Sequence, residues 1–239
     1  MATKAKHTID VDGREVSLSN LDKVLWPRDG YTKGDLISYY AKISAYILPH
    51  LRDRPLTLQR YPDGIDGESF FEKQKPRFTP SWIPSHADSA YSKTRTVEYM
   101  LCNDDATLIW CANLAAIVLH VWYSHAQTPD KPDFALFDLD PGERCTLKTL
   151  TSVAVAFREA LDGIGACPLI KTSGGYGLHV IVPLEPRYDY DPVKDFAQLV
   201  ARHIEEQVPE LTTLERTIAR RPQDRVYLDW LQVGKGKTV

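Results

Sequence analysis

The chain has 239 residues, with 29 Lys plus Arg against 32 Asp plus Glu, 43% hydrophobic and 10% aromatic side chains, enough apolar content for a soluble globular core without staples. A formal charge of −3 argues against a bulk electrostatic hold on nucleic acid and leaves local patches to be read one by one. Cys102, Cys111, Cys145 and Cys167 form no CxxC pair, and neither an apolar leader nor an uninterrupted apolar run is present, which counts against zinc knuckles, disulfide frameworks, secretion and membrane spanning.

No repeat, low-complexity block or Gly/Ser linker marks a boundary, so one continuous domain over 1–239 is expected, in the cytoplasm and with no membrane partner. A first strand over 15–18 leads to Thr32-Lys-Gly-Asp35, a Thr-x-x-Asp start for an amphipathic helix running to about Leu51. Leu56 to Tyr61 alternates as a strand, Phe70 to Pro76 reads as an aromatic and basic loop, and a Pro/Ser-rich stretch follows to Ser89. A strand over 92–101, a short helix capped by Asp104 and an extended segment over 117–122 complete the first half.

The second half starts with a buried strand over 134–140, a turn at Pro141-Gly142 and a helix over 146–161. Apolar runs 169–172 and 178–184 flank Ser173-Gly-Gly-Tyr-Gly177 like the arms of a hairpin, a helix spans 192–207, and a last strand covers 225–231. This order implies an α+β fold with a mixed, mainly antiparallel sheet. The chain stops at Val239 directly after that strand, the pattern of a C-terminally incomplete domain.

Strand alternation puts Asp138 and Asp140 of Phe137-Asp-Leu-Asp-Pro-Gly142 on one face, where two carboxylates repel unless a cation sits between them. Hard oxygen donors at a strand end suit Mg²⁺ or Mn²⁺, and Asp229, in an otherwise apolar strand, is a candidate third carboxylate. Taken alone, the pair is equally well explained as a cap or turn device. The loop Lys171 to His179 offers a hydroxyl, glycine amides and an imidazole suited to a triphosphate, yet it is neither a Walker A loop nor a dinucleotide turn, and alone it reads better as a plain hairpin. His120 alone reads as a core histidine. Phe70 and Phe71 beside Lys73 and Lys75 combine aromatics with cations as base-stacking sites do, and Lys23, Lys33 and Arg60 add positive charge.

Taken in order, Leu21–Pro27, Tyr31–Leu36, Phe70–Gln74, Phe137–Glu143, Thr172–His179 and Leu228–Gln232 resemble one family, the polymerase domain of bacterial DNA ligase D, within the archaeo-eukaryotic primase superfamily. The resemblance implies a primase-like catalytic fold and template-directed nucleotidyl transfer at gapped or broken DNA ends during non-homologous end joining. It also implies a preference for ribonucleotides and manganese, with Ku and a DNA ligase as partners. Asp138, Asp140 and Asp229 then look like the holders of two ions, Mn²⁺ or Mg²⁺. Ser173, His179 and His120 would hold the incoming NTP or dNTP, and Phe70 and Phe71 would stack near the templating base. Lys23 and Lys33 would grip a downstream 5′-phosphate, and Arg60 adds to the DNA-binding side. The family has Lys or Arg where this chain has Tyr176, so Lys171 would supply charge there, and Lys235 or Lys237 would serve as the basic group expected near the triphosphate, with Lys237 taken as the candidate. A primer-independent primase and a non-catalytic end-bridging module are the alternative readings. Three clustered carboxylates argue against the latter.

Overall fold

In the computed structural model, which describes residues 6–89 and 96–239, the chain opens on a hairpin of β1 (Lys6–Val11) and β2 (Arg14–Ser19). Asp12 and Gly13 turn it with positive φ of 53° and 77°, the pair of left-handed residues that matches strand twist. Short strands β3 (Val24–Trp26) and β4 (Tyr31–Thr32) lead into helix α1 (Lys33–Leu51). Its start is the reciprocal cap expected from the sequence: the Thr32 hydroxyl accepts from the Asp35 N–H while the Asp35 carboxylate accepts from the Thr32 N–H.

Strands β5 (Pro55–Arg60), β6 (Phe70–Glu72), β7 (Ser85–Asp88) and β8 (Val97–Leu101), helix α2 (Asp105–Asn113) and strand β9 (Ala116–Val121) follow. All sheet pairs here are antiparallel, in the order β6-β5-β8-β7 with β9 also on β5. Phe70–Glu72, expected as loop, is extended because it pairs along β5, Arg60 opposite Phe70 and Leu58 opposite Glu72. Of the strand expected over 92–101, residues 92–95 lie outside the described residues. Leu25, Leu36, Leu56, Leu58, Leu108 and Cys111 are buried together in this unit's core.

The second unit holds β10 (Phe134–Pro141), α3 (Leu147–Asp162), β11 (Leu169–Thr172), β12 (Leu178–Pro183), α4 (Tyr190–Gln207), β13 (Thr212–Thr213) and β14 (Val226–Asp229). A 3₁₀ turn, Ile218–Arg220, precedes β14. The strand order is β11-β12-β10-β14-β13, antiparallel except for β13 beside β14. Phe137, Leu139, Val180 and Leu228 pack with Val153 and Phe157 of α3 and with Ala197 and Ile204 of α4, and the Phe137 and Phe157 rings lie 4.8 Å apart. Alternation then turns Asp138 and Asp140 to the opposite face.

The mainly antiparallel α+β expectation is met. The chain divides into two compact units, one ending at Trp122 and taking in Thr238, the other running from Tyr123. That boundary falls inside an apolar run, with no linker composition to mark it. The four cysteines are free, and among the described residues no helix is long and apolar enough to cross a membrane.

Candidate active site

Register decides which side chains of the second unit share a site. Lys171 of β11 stands opposite His179 of β12, His179 opposite Asp138 of β10, and Asp138 opposite Asp229 of β14. Adjacent strands lie about 4.8 Å apart, so these four residues make one row across the sheet. Asp140, two residues along the same face, stands opposite Tyr227. The three aspartates expected to cluster are thus brought together, with Lys171 and His179 beside them.

The Gly-rich loop is laid against this row. A Cβ at Gly177 would fall 2.5 Å from the carbonyl oxygen of Leu139, the residue between Asp138 and Asp140, so only glycine lets the loop sit so close. The Ser173 hydroxyl accepts the N–H groups of Gly175 and Gly177, both at 3.2 Å, which fixes the turn and leaves its own proton to donate. Tyr176 stands almost fully exposed at the tip. Gly142 is required too, since a Cβ there would run into the Gln223 backbone.

The electrostatics are those of a site rich in negative charge. Burial, with the charges of Asp140 and Asp229, pushes Asp138 from the ordinary 3.8 up to about 6, only partly offset by Lys171. Burial also raises Asp140; Arg221, whose Nη1 lies 3.8 Å from Asp140 Oδ2, pulls it back, and Asp229 adds to the rise. His179 Nε2 lies 3.5 Å from Asp138 Oδ1, but burial and the nearby Lys171 cation push the imidazole down to about 4, so at neutral pH this is no ion pair. Burial lowers Lys171 against the pull of Asp138. Asp229 is held differently: its Oδ1 accepts the Leu231 N–H at 2.9 Å and its Oδ2 accepts Gln232 Nε2 at 2.7 Å.

Among the described residues no three His, Cys, Asp or Glu side chains converge into a ready-made metal cage. The donor set nevertheless fits a hard divalent cation. Asp138 Oδ1 is buried without a hydrogen-bond partner, and three carboxylates on one face repel one another. Lys237 lies in a turn after the third aspartate, its Nζ donating to the Leu231 carbonyl at 2.5 Å.

In the first unit, His120 of β9 stands opposite Thr57, with Nε2 3.5 Å from Gln59 Oε1 and its ring 5.4 Å from that of Phe71. Phe71 is 61% exposed and Phe70 43%, so both aromatics are available for stacking. The Arg60 guanidinium covers the Phe70 ring at 5.2 Å, donates to the Leu114 carbonyl and pairs with Glu72 at 2.9 Å. Lys23 makes an exposed ion pair with Asp63 at 2.7 Å. Lys33 is 6% exposed, its Nζ donating to the Asn113 carbonyl at 3.0 Å.

A family model described as the LigD primase-polymerase domain matches residues 32–239. The chain belongs to the LigD primase-polymerase domain family. The multifunctional non-homologous end joining protein LigD of Mycobacterium bovis is 36% identical over 233 residues, covering 94% of this chain and 30% of that protein. The bifunctional LigD of Bacillus subtilis is 34% identical over 226 residues, covering 94% of this chain and 36% of its own length. The chain thus spans about a third of the curated relatives it matches. The solved polymerase domain of Mycobacterium tuberculosis ligase D, in complex with DNA, superposes with a TM-score of 0.87 at 33% identity, covering 94% of this chain and 80% of that one.

One residue beside Asp140 was missed from the sequence. Arg221 stacks over Tyr227 at 3.6 Å, donates to the carbonyls of Glu215 and Arg216, and faces Asp140. Its only sequence signal is a cluster of arginines over 216–225, which also reads as a solvated loop.

Proposed function

We propose that the chain extends primers and fills short gaps at DNA ends, as a template-directed nucleotidyltransferase acting in non-homologous end joining. The observation that carries this reading is the row Lys171–His179–Asp138–Asp229 with Asp140 beside it, on a chain of the LigD polymerase family.

Asp138, Asp140 and Asp229 would hold Mn²⁺ or Mg²⁺. Bound there, two ions supply charge neutralisation at the attacking 3′-oxygen and at the departing pyrophosphate. The remaining work is done by the chain itself. Ser173 donates to a phosphate oxygen from a fixed turn, and neutral His179 contributes a hydrogen bond rather than a charge. Lys171 and Lys237 balance the triphosphate, and His120 also contacts the incoming nucleotide. Phe71, with Phe70 held under Arg60, offers ring faces to template bases.

Lys23 and Lys33 would receive a 5′-phosphate. Lys23 has an exposed ion pair to exchange, typically worth about 0–1 kcal/mol. Lys33 opens α1, where a buried cation meets the positive end of the helix dipole, an arrangement that a phosphate relieves. Ribonucleotide preference and pairing with Ku and a ligase belong to the same proposal.

The test compares the wild type with Asp138→Ala and Asp140→Ala on a gapped duplex. Wild type should add nucleotides, and both variants should bind the ends and add none. Extension by either variant at the wild-type rate would overturn the carboxylate assignment, and binding without addition by the wild type would favour an end-bridging module.

A further inference from the structure

Strand β6 lies at the edge of its sheet and carries a phenylalanine on each face. Phe71 stands opposite Gln59 and meets His120, whereas Phe70 stands opposite Arg60 and shares its face with Glu72. Arg60 and Glu72 are thus diagonal neighbours across two strands, and they join at 2.9 Å. Their side chains are 16% and 19% exposed, against 40% and 76% for the surface pair of Lys23 and Asp63. The guanidinium has three neighbours: Nη1 donates to Glu72, Nε donates to the Leu114 carbonyl at 3.0 Å, and its carbon lies 5.2 Å from the centre of the Phe70 ring. Phe70 itself is 43% exposed.

An acid at this place needs a reason. A carboxylate beside a surface that takes up nucleic acid repels phosphates, so it weakens binding unless it does something else there. Arg60 is the group it acts on. A guanidinium is planar and stacks on aromatic faces, and a carboxylate that grips one end of it in an enclosed pair fixes the tilt of that plane. With Arg60 fixed against it, a ring on a short edge strand loses its freedom to turn, so less ordering is left to be done when a base arrives.

We infer that Glu72 is a positioning residue for the template: it holds the Arg60 guanidinium against Phe70, and that contact sets the ring in the orientation in which it stacks on a base. The inference rests on the reading of Phe70 as a base-stacking side chain. Glu72 acts through Arg60 and Phe70, not by touching nucleic acid.

The test measures binding of a gapped duplex by fluorescence anisotropy, in chelator and without nucleotide, over a range of salt, with urea midpoints to establish that each variant is folded. Glu72→Leu should bind about fivefold more weakly, the lower end of what one base–aromatic stack is worth. The slope of log affinity against log salt should stay as in the wild type, because no phosphate contact is lost. Glu72→Gln, which keeps an acceptor of the same reach, should recover most of that loss. Arg60→Lys keeps the charge and gives up the plane, so it should fall as far as Glu72→Leu. In a Phe70→Leu background Glu72→Leu should cost nothing more. Unchanged or tighter binding by folded Glu72→Leu would overturn the inference, tighter binding being what loss of a negative charge alone produces. Wild-type binding by Arg60→Lys would overturn it too, as would a slope shallower by about 0.7 in Glu72→Leu, the mark of a lost phosphate contact. Wild-type affinity in Phe70→Leu alone would instead overturn the stacking reading beneath it.

Discussion

Asp138→Asn should make the metal-free protein more stable at neutral pH while abolishing synthesis. Asp138 is raised from 3.8 to about 6 by burial and by two neighbouring carboxylates, with 22% of its side chain exposed. A carboxylate whose pKa is higher in the folded state binds its proton more tightly there. Its contribution to stability is therefore fully present below about pH 4 and lost as pH rises through about 6. A shift of that size corresponds to about 2–3 kcal/mol of destabilisation above pH 7, or roughly 5–10 °C in melting temperature for a chain of this length. Asparagine keeps the shape and removes the charge. Urea denaturation in chelator, at pH 4.5, 6 and 7.5, should show the variant gaining on the wild type as pH rises, and the difference between the two cancels every group they share. Mn²⁺ at a hundred times Kd, which adds about 2.7 kcal/mol, should close the gap, and at a thousand times Kd, about 4.1 kcal/mol, it should reverse the order, because only the intact site binds the ion. A variant less stable than wild type at pH 7.5 without metal, or a difference that does not vary with pH, would refute the reasoning.

Gly177→Ala should force the loop away from the Leu139 carbonyl, at a cost of about 1–3 kcal/mol, and raise nucleotide KM; unchanged steady-state kinetics would dissociate the loop from the substrate. Lys23→Ala should erase the preference for phosphorylated over hydroxyl-ended gaps in a binding assay, and an unchanged preference would move the phosphate site elsewhere. Phe71→Ala should weaken binding to gapped templates by about 1–3 kcal/mol without changing Mn²⁺ affinity, since a stacking ring and no ion ligand is lost. Thr32→Ala should cost about 1 kcal/mol in denaturation by breaking both halves of the α1 cap.

Local chemistry explains which features were legible in the sequence. The Thr32 and Asp104 caps, the hairpin around Ser173–Gly177 and the shared face of Asp138 and Asp140 depend on residues a few positions apart, and all are present. Long-range pairing was not legible. No local pattern says that Lys171, His179, Asp138 and Asp229 fall in one row, because register is set between strands up to ninety-one residues apart, from Asp138 to Asp229. The two-residue strand Thr212–Thr213 and the strand Phe70–Glu72 exist only through their partners. Arg221 becomes meaningful only once Tyr227 and Asp140 are seen beneath it.

The central claim is that these carboxylates run templated synthesis. Its most direct measurement is single-nucleotide addition on a gapped duplex with a 5′-phosphorylated downstream strand, using each template base in turn, with Mn²⁺, Mg²⁺ or chelator and with ribo- or deoxyribonucleotides. Addition of the complementary nucleotide only when divalent metal is present is the predicted result, with ribonucleotides preferred; metal-independent addition, addition indifferent to the template base, or binding with no addition would contradict it.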